Sequence, residues 1–193
     1  MAVTAGGTTA LNTLTLSDPS STTALWRIGN WDGSPAEFLN GGRLTTMHPS
    51  DVRMSSWLPA TFVIGASSAA SGFPAYQWKD VNNARVIQFT LTSAQVQNLT
   101  LRLGTTEDFN GARPQITVNS WTSAIPTAPA KGSRNMTVGT YRGVNRTYSY
   151  AIPSTAFVAG TNTLTINVVS GTSGTAYLSP GFSYDAVDLI VTP

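Results

Sequence analysis

Cysteine is absent from the 193 residues, which removes disulfides, a thiol nucleophile and thiolate metal sites from consideration. Histidine occurs once, at His48, so a copper monooxygenase centre, which needs a second histidine, is closed. Charge is scarce as well: 10% of residues are charged, the nine Arg and two Lys are scattered, and the net charge is +2. That pattern excludes a nucleic-acid footprint, which would cluster its basic residues in excess. No run approaches the roughly 18 apolar residues of a membrane helix. The start, MAVTAGG, has neither the basic nor the apolar region of a secretory leader, and Met1 reads as an expression start. There is no G-x-S-x-G elbow and no Gly-Lys-Ser/Thr phosphate loop, and the glycines of 104–111 lack nucleotide-site spacing.

What the chain has in quantity is Thr, Ser, Val and Ala, with 17 Gly and 11 Pro. That composition favours short strands joined by tight turns over helices. Alternation of apolar and polar residues predicts strands at 60–64, 86–91, 98–104, 114–120, 147–152, 162–169 and 184–191. Segments such as VIQFTL and TLTINV put apolar side chains on one face, as two sheets sharing a core require. The expected fold class is an all-β sandwich of one main domain, with one helical turn at Ser93 to Val96 capped by Ser93. Residues 2–16 supply a lone Thr-rich strand, and SDPSST at 17–22 has linker chemistry. The expected organisation is therefore 1–22, the tail of a preceding domain plus linker, and 23–193, the sandwich. The sequons at Asn98, Asn135 and Asn145 are compatible with a secretory route, although Thr-rich sequences also generate them by chance.

Residues 26–57 concentrate the costly side chains in a stretch of irregular pattern: Trp26, Trp31, Trp57, His48, Glu37, Arg27, Arg43 and Arg53. A loop of this length is uncommon unless it has a function or carries short strands of its own. Arg clamps carboxylates bidentately, so Arg beside aromatics suits acidic sugars. The competing expectation is that Arg stems cover apolar surface and pair with Asp.

The succession LWRIGNWDGSPAEFLN, MHPSDVRMSSW, FPAYQWKDVNN, IQFTLTSAQ, LRLGTTEDFNGARPQITVNSW, GTYRGVNRTYSYAIP, AGTNTLTINVVSG and LSPGFSYDAVDL resembles the C-terminal domain of rhamnogalacturonan endolyases of polysaccharide lyase family 4, over roughly residues 24–191. The resemblance implies a jelly-roll domain similar to carbohydrate-binding modules, following a fibronectin-III-like domain whose last strand residues 2–16 would be. It also implies a secreted parent that cuts rhamnogalacturonan I by β-elimination, with its catalytic residues in an N-terminal domain that has no counterpart here. The implied partners are a pectic polysaccharide and that catalytic domain, with neither nucleic acid nor membrane. The last strand, FSYDAVDLIV, is similar to that of modules in which a carboxylate helps hold a structural calcium, and Asp185 is the position this implies.

On this reading the chain is a non-catalytic sugar-binding module. Aromatic faces would stack on pyranose C–H faces while polar groups take the hydroxyls and carboxylates. The candidates are Trp31, Arg53 and Trp57; Trp78, Lys79 and Asp80; Arg113; and Tyr141, Arg142 and Asn145. Trp26, flanked by Leu25 and Ile28, is expected in the core, and Trp121 could merely cover a sheet edge. Arg113 could alternatively pair with Asp108 or Glu107. His48 with Arg53 could in principle serve an autonomous lyase, but one histidine beside Pro49 and Asp51 is more often a hydrogen-bonded loop organiser. The structural alternative is that the Trp and Arg residues lock segment 26–57 onto the sandwich, in an accessory domain that docks on the catalytic domain without binding sugar.

Overall fold

The computed structural model describes residue 6 and residues 18–47, 50–54, 57, 61–129 and 144–192. Two five-stranded sheets share one core. The first runs β1 (Ala24–Gly29), β10 (Gly181–Val191), β5 (Leu99–Phe109), β8 (Arg146–Ile152), with β3 (Tyr76–Trp78) also paired to β10. The second runs β2 (Thr61–Val63), β4 (Arg85–Leu91), β9 (Gly160–Val169), β6 (Arg113–Val118), β7 (Trp121–Thr122). All pairings are antiparallel except β2 with β4. The result is the expected all-β, jelly-roll sandwich.

The reason lies in the alternation. Ile87, Phe89 and Leu91 of β4 and Leu164, Ile166 and Val168 of β9 are buried while their sequence neighbours are not. They meet Leu101, Leu103, Val187 and Leu189 of the first sheet in one apolar cluster. Direct bonds cross the interface: the Tyr150 hydroxyl donates to the Pro114 carbonyl at 2.6 Å and the Gln77 amide donates to the Ile166 carbonyl at 2.8 Å. Trp26 is in the core as expected, 5.4 Å from Phe89 across the sandwich.

All seven expected strands form, and three more accompany them: β1, β3 and β7. Strand β5 runs on to Phe109 because Thr105, Thr106, Glu107 and Asp108, polar as they are, lie buried against β10. The turn at Ser93–Gln95 is a 3-10 helix, and its cap is Thr92, not Ser93: Gln95 and Thr92 close a capping box that satisfies the first amide groups. The expected strand at 2–16 lies outside the described residues. The linker that follows is ordered. Pro19–Ser21 form a 3-10 turn capped by Asp18, whose carboxylate accepts the Ser20 N–H at 2.8 Å.

Candidate functional site

Two places gather side chains that sequence alone singles out, and they do different things. On the outer face of the first sheet, β1, β10 and β5 bring Arg27, Asp188 and Arg102 into register. The Asp188 side chain has no exposed surface, and it accepts from Arg27 Nε at 2.9 Å, Arg102 Nε at 2.9 Å and Nη2 at 2.7 Å, and Trp31 Nε1 at 3.0 Å. The Arg102 guanidinium also lies 5.2 Å over the Trp31 ring. Both guanidiniums reach on to the linker, donating to the carbonyls of Pro19, Ser20 and Thr22.

A bulge sets the neighbouring position. Residues 185 and 186 of β10 face the single residue Gly104 of β5, where the register shifts between Tyr184 and Val187. Asp185 is thereby turned outward, and its Oδ1 accepts the N–H of Gly33 at 2.7 Å and of Asp32 at 3.3 Å. Burial holds its carboxyl above the usual range. Two amide hydrogens aimed at the oxygen are the opposite of a cation, and among the described residues no three His, Cys, Asp or Glu converge. This donor set does not fit a calcium cage; Asp185 caps the turn after β1.

Most of the described sugar-binding candidates are buried or held by partners within the fold. Trp78 is corrected, and Trp57 takes the core position that its place before Leu58-Pro59 left open as the alternative: they are 0% and 1% exposed and pack edge to face at 5.1 Å, with Trp78 stacked on Tyr76 at 4.1 Å. All three residues of β3 are buried, so the charged neighbours Lys79 and Asp80 mark the turn that leaves the strand, not exposure of Trp78. Lys79 is exposed there. Arg53 is exposed, but its fork closes on Asp51 through Nε at 2.9 Å and Nη2 at 2.7 Å, and this bonding draws the Asp51 carboxyl well down. Trp31 is half-buried and spoken for by Asp188. Arg113 pairs with neither Asp108 nor Glu107; it donates to the carbonyls of Pro126 at 2.7 Å and Gly111 at 2.9 Å, while Asp108 takes Arg146 at 3.0 Å. Tyr141, Arg142 and His48 lie outside the described residues. Asn145 is exposed.

The second place is a slot of about 300 Å³ between β7 and β8, the last described strands of the two sheets. Trp121 of β7 with Ile125 and Pro126 forms one wall, and Tyr148, Tyr150 and Ala151 of β8 form the other. Trp121 and Tyr148 are half-buried against the core, and Ile125 is 54% exposed. Arg113 builds this wall: its bond to the Pro126 carbonyl ties the 123–126 stretch to β6. Ser123 fixes the same stretch, accepting the Ile116 N–H at 3.1 Å and donating to the Ala124 carbonyl at 3.0 Å. Burial pushes the Tyr148 phenol up, with Asp108 adding to it. Trp121 was foreseen as a sheet-edge cover, which it is; its part in the slot was missed. The signal available was a Trp opening a Pro-rich stretch with an unpaired Ile four residues on.

The family description "CBM-like: Polysaccharide lyase family 4, domain III" matches residues 24–189. The chain is 51% identical over 189 residues to rhamnogalacturonate lyase A of Aspergillus aculeatus, covering 97% of this chain and 35% of that protein. It is 46% identical over 192 residues to rhamnogalacturonate lyase A of Emericella nidulans, covering 93% of this chain and 36% of that one. The chain thus spans about a third of the length of these relatives. Among solved structures, a family 35 carbohydrate-binding module from an environmental isolate is similar at a TM-score of 0.41 and 16% identity, over 70% of this chain and 90% of that one.

Proposed function

Since the chain belongs to the CBM-like domain III family of polysaccharide lyase family 4, we propose that it is the non-catalytic, sugar-binding part of a rhamnogalacturonan lyase. It works outside the cell on rhamnogalacturonan I or a related pectic chain, while a separate catalytic domain cuts by β-elimination. The observation that carries this reading is the slot: two half-buried aromatics, Trp121 and Tyr148, both line it. Partly covered aromatic rings are what pyranose C–H faces stack on, and pockets of this size sit at the small end of ligand sites. No step of an elimination is assigned to the chain itself. Arg53, the cation that the lyase alternative would use, is closed on Asp51.

Calorimetry of the chain against rhamnogalacturonan I, with homogalacturonan and neutral glycans as controls, tests the proposal. Binding to the first, weakened about ten-fold or more by Trp121→Ala, is the expected outcome. Heat from none of the glycans would sink it, and formation of an ultraviolet-absorbing unsaturated uronate would restore the autonomous lyase. A specific observation favours a second reading, a structural accessory domain: Arg27, Arg102 and Asp188 clamp the linker at 19–22, which suits a joint held at a fixed angle. The two readings are compatible.

A further inference from the structure

Resting on the sugar-binding reading above, we infer that the slot recognises a 6-deoxyhexose through its methyl-bearing face, and not the uronate of the same polymer. The name of the relatives, rhamnogalacturonate lyase, supplies two sugars, a deoxyhexose and a uronic acid. They differ most sharply at C6, where one carries a methyl and the other a carboxylate. The lining decides between them.

Trp121, Ile125, Pro126, Tyr148, Tyr150 and Ala151 line the slot and make it mainly aromatic and aliphatic, with Ser123 and Ser149 as its small polar members. Two of its hydroxyls are engaged within the fold: that of Tyr150 donates to the Pro114 carbonyl and that of Ser123 to the Ala124 carbonyl. The two cations beside Tyr148 are engaged as well, Arg113 on two backbone carbonyls and Arg146 on Asp108. Among the described residues, a carboxylate entering the slot would lose water and meet no guanidinium that is not already engaged, a costly transfer. A methyl group loses nothing by entering, and it covers apolar surface. Ile125 supplies that surface, a large aliphatic side chain left 54% exposed at the slot wall. The volume of about 300 Å³ admits one ring or little more, so the slot reads a single residue of the chain.

Saturation-transfer NMR of this protein with a rhamnogalacturonan I oligosaccharide tests the inference. The strongest saturation is expected at the C6 methyl protons of the deoxyhexose. Ile125→Ser, at an exposed position that leaves the melting temperature unchanged, should cut that methyl signal at least about three-fold, and Trp121→Ala should remove it. An oligogalacturonate of equal length should bind about ten-fold more weakly or not at all. Strongest saturation at the galacturonate ring protons, or equal binding of the oligogalacturonate, would overturn the methyl-face inference while leaving sugar binding intact. Saturation at no proton of either oligosaccharide would overturn both. Trp121→Ala alone is ambiguous if it unfolds the edge, which is why Ile125→Ser decides.

Discussion

Glu107 lies in β5 with 3% of its surface exposed, and its Oε2 meets no hydrogen-bond partner. The register sets it beside Ser183 of β10, which in turn pairs with Tyr76 of β3, and Asp108 follows it in the strand. Burial pushes its carboxyl up to about 8, and the neighbouring Asp108 adds to the shift. The folded protein therefore holds a proton on Glu107 that the unfolded chain releases above the ordinary glutamate value of 4.5. Between those two values the native state binds more protons than the unfolded state, so stability must fall as pH rises. The contribution is whole below the lower value, declines through the range and is lost once pH passes about 8. Urea denaturation from pH 4.5 to 9 should show a decline on the order of 3 kcal/mol that Glu107→Gln, which mimics the protonated form, largely abolishes. Identical pH profiles for the two proteins would mean that Glu107 is ionised in the fold.

At the level of elements, Gly104 shows how β5 and the loop after β1 were made for each other. A Cβ built on Gly104 would sit 2.6 Å from the Trp31 ring and 3.1 Å from the Asp185 carboxylate. Trp31 can lie flat over the strand only because nothing projects there, and its indole N–H then reaches Asp188. Gly104→Ala should cost about 2 kcal/mol by overpacking and shift the Trp31 indole N–H resonance; a loss under about 0.5 kcal/mol would place the ring elsewhere. Neither partner announces this in sequence. Alternation exposed β4 and β9 plainly, because each has one wet face. It failed at β1, whose Leu-Trp-Arg-Ile alternation was read as part of an irregular Trp-Arg stretch, and at β3, too short and too fully buried to alternate. The function of the buried run Thr105–Asp108 was equally hidden, since a polar strand inside a sandwich depends on partners from β10 and β8. The slot was least legible of all: its walls come from 121–126 and 148–151, which only the closure of both sheets brings together.

For the whole molecule, the question is how the sandwich meets whatever precedes residue 18. The linker residues are not a loose tether. Their carbonyls receive guanidinium N–H groups from Arg27 and Arg102, and both guanidiniums are held in place by one buried carboxylate, Asp188. Such a three-residue arrangement is worth little as net stability, because desolvation offsets much of the attraction, but removing one member is costly. Asp188→Asn keeps the shape and deletes the charge. It leaves two cations, with side chains only 25% and 11% exposed, facing a neutral amide, and should destabilise the fold by about 3 kcal/mol. The consequence specific to a joint is local. The amides of Ser21 and Thr22, which donate to the carbonyls of Asp18 and Pro19, should exchange at least about ten-fold faster in Asp188→Asn than a uniform loss of stability accounts for, with the amides of β9 as the internal reference. If the linker amides and the β9 amides accelerate together, Asp188 serves only the sheet. If the linker amides accelerate first, the carboxylate sets the path by which residues 18–22 leave the sandwich.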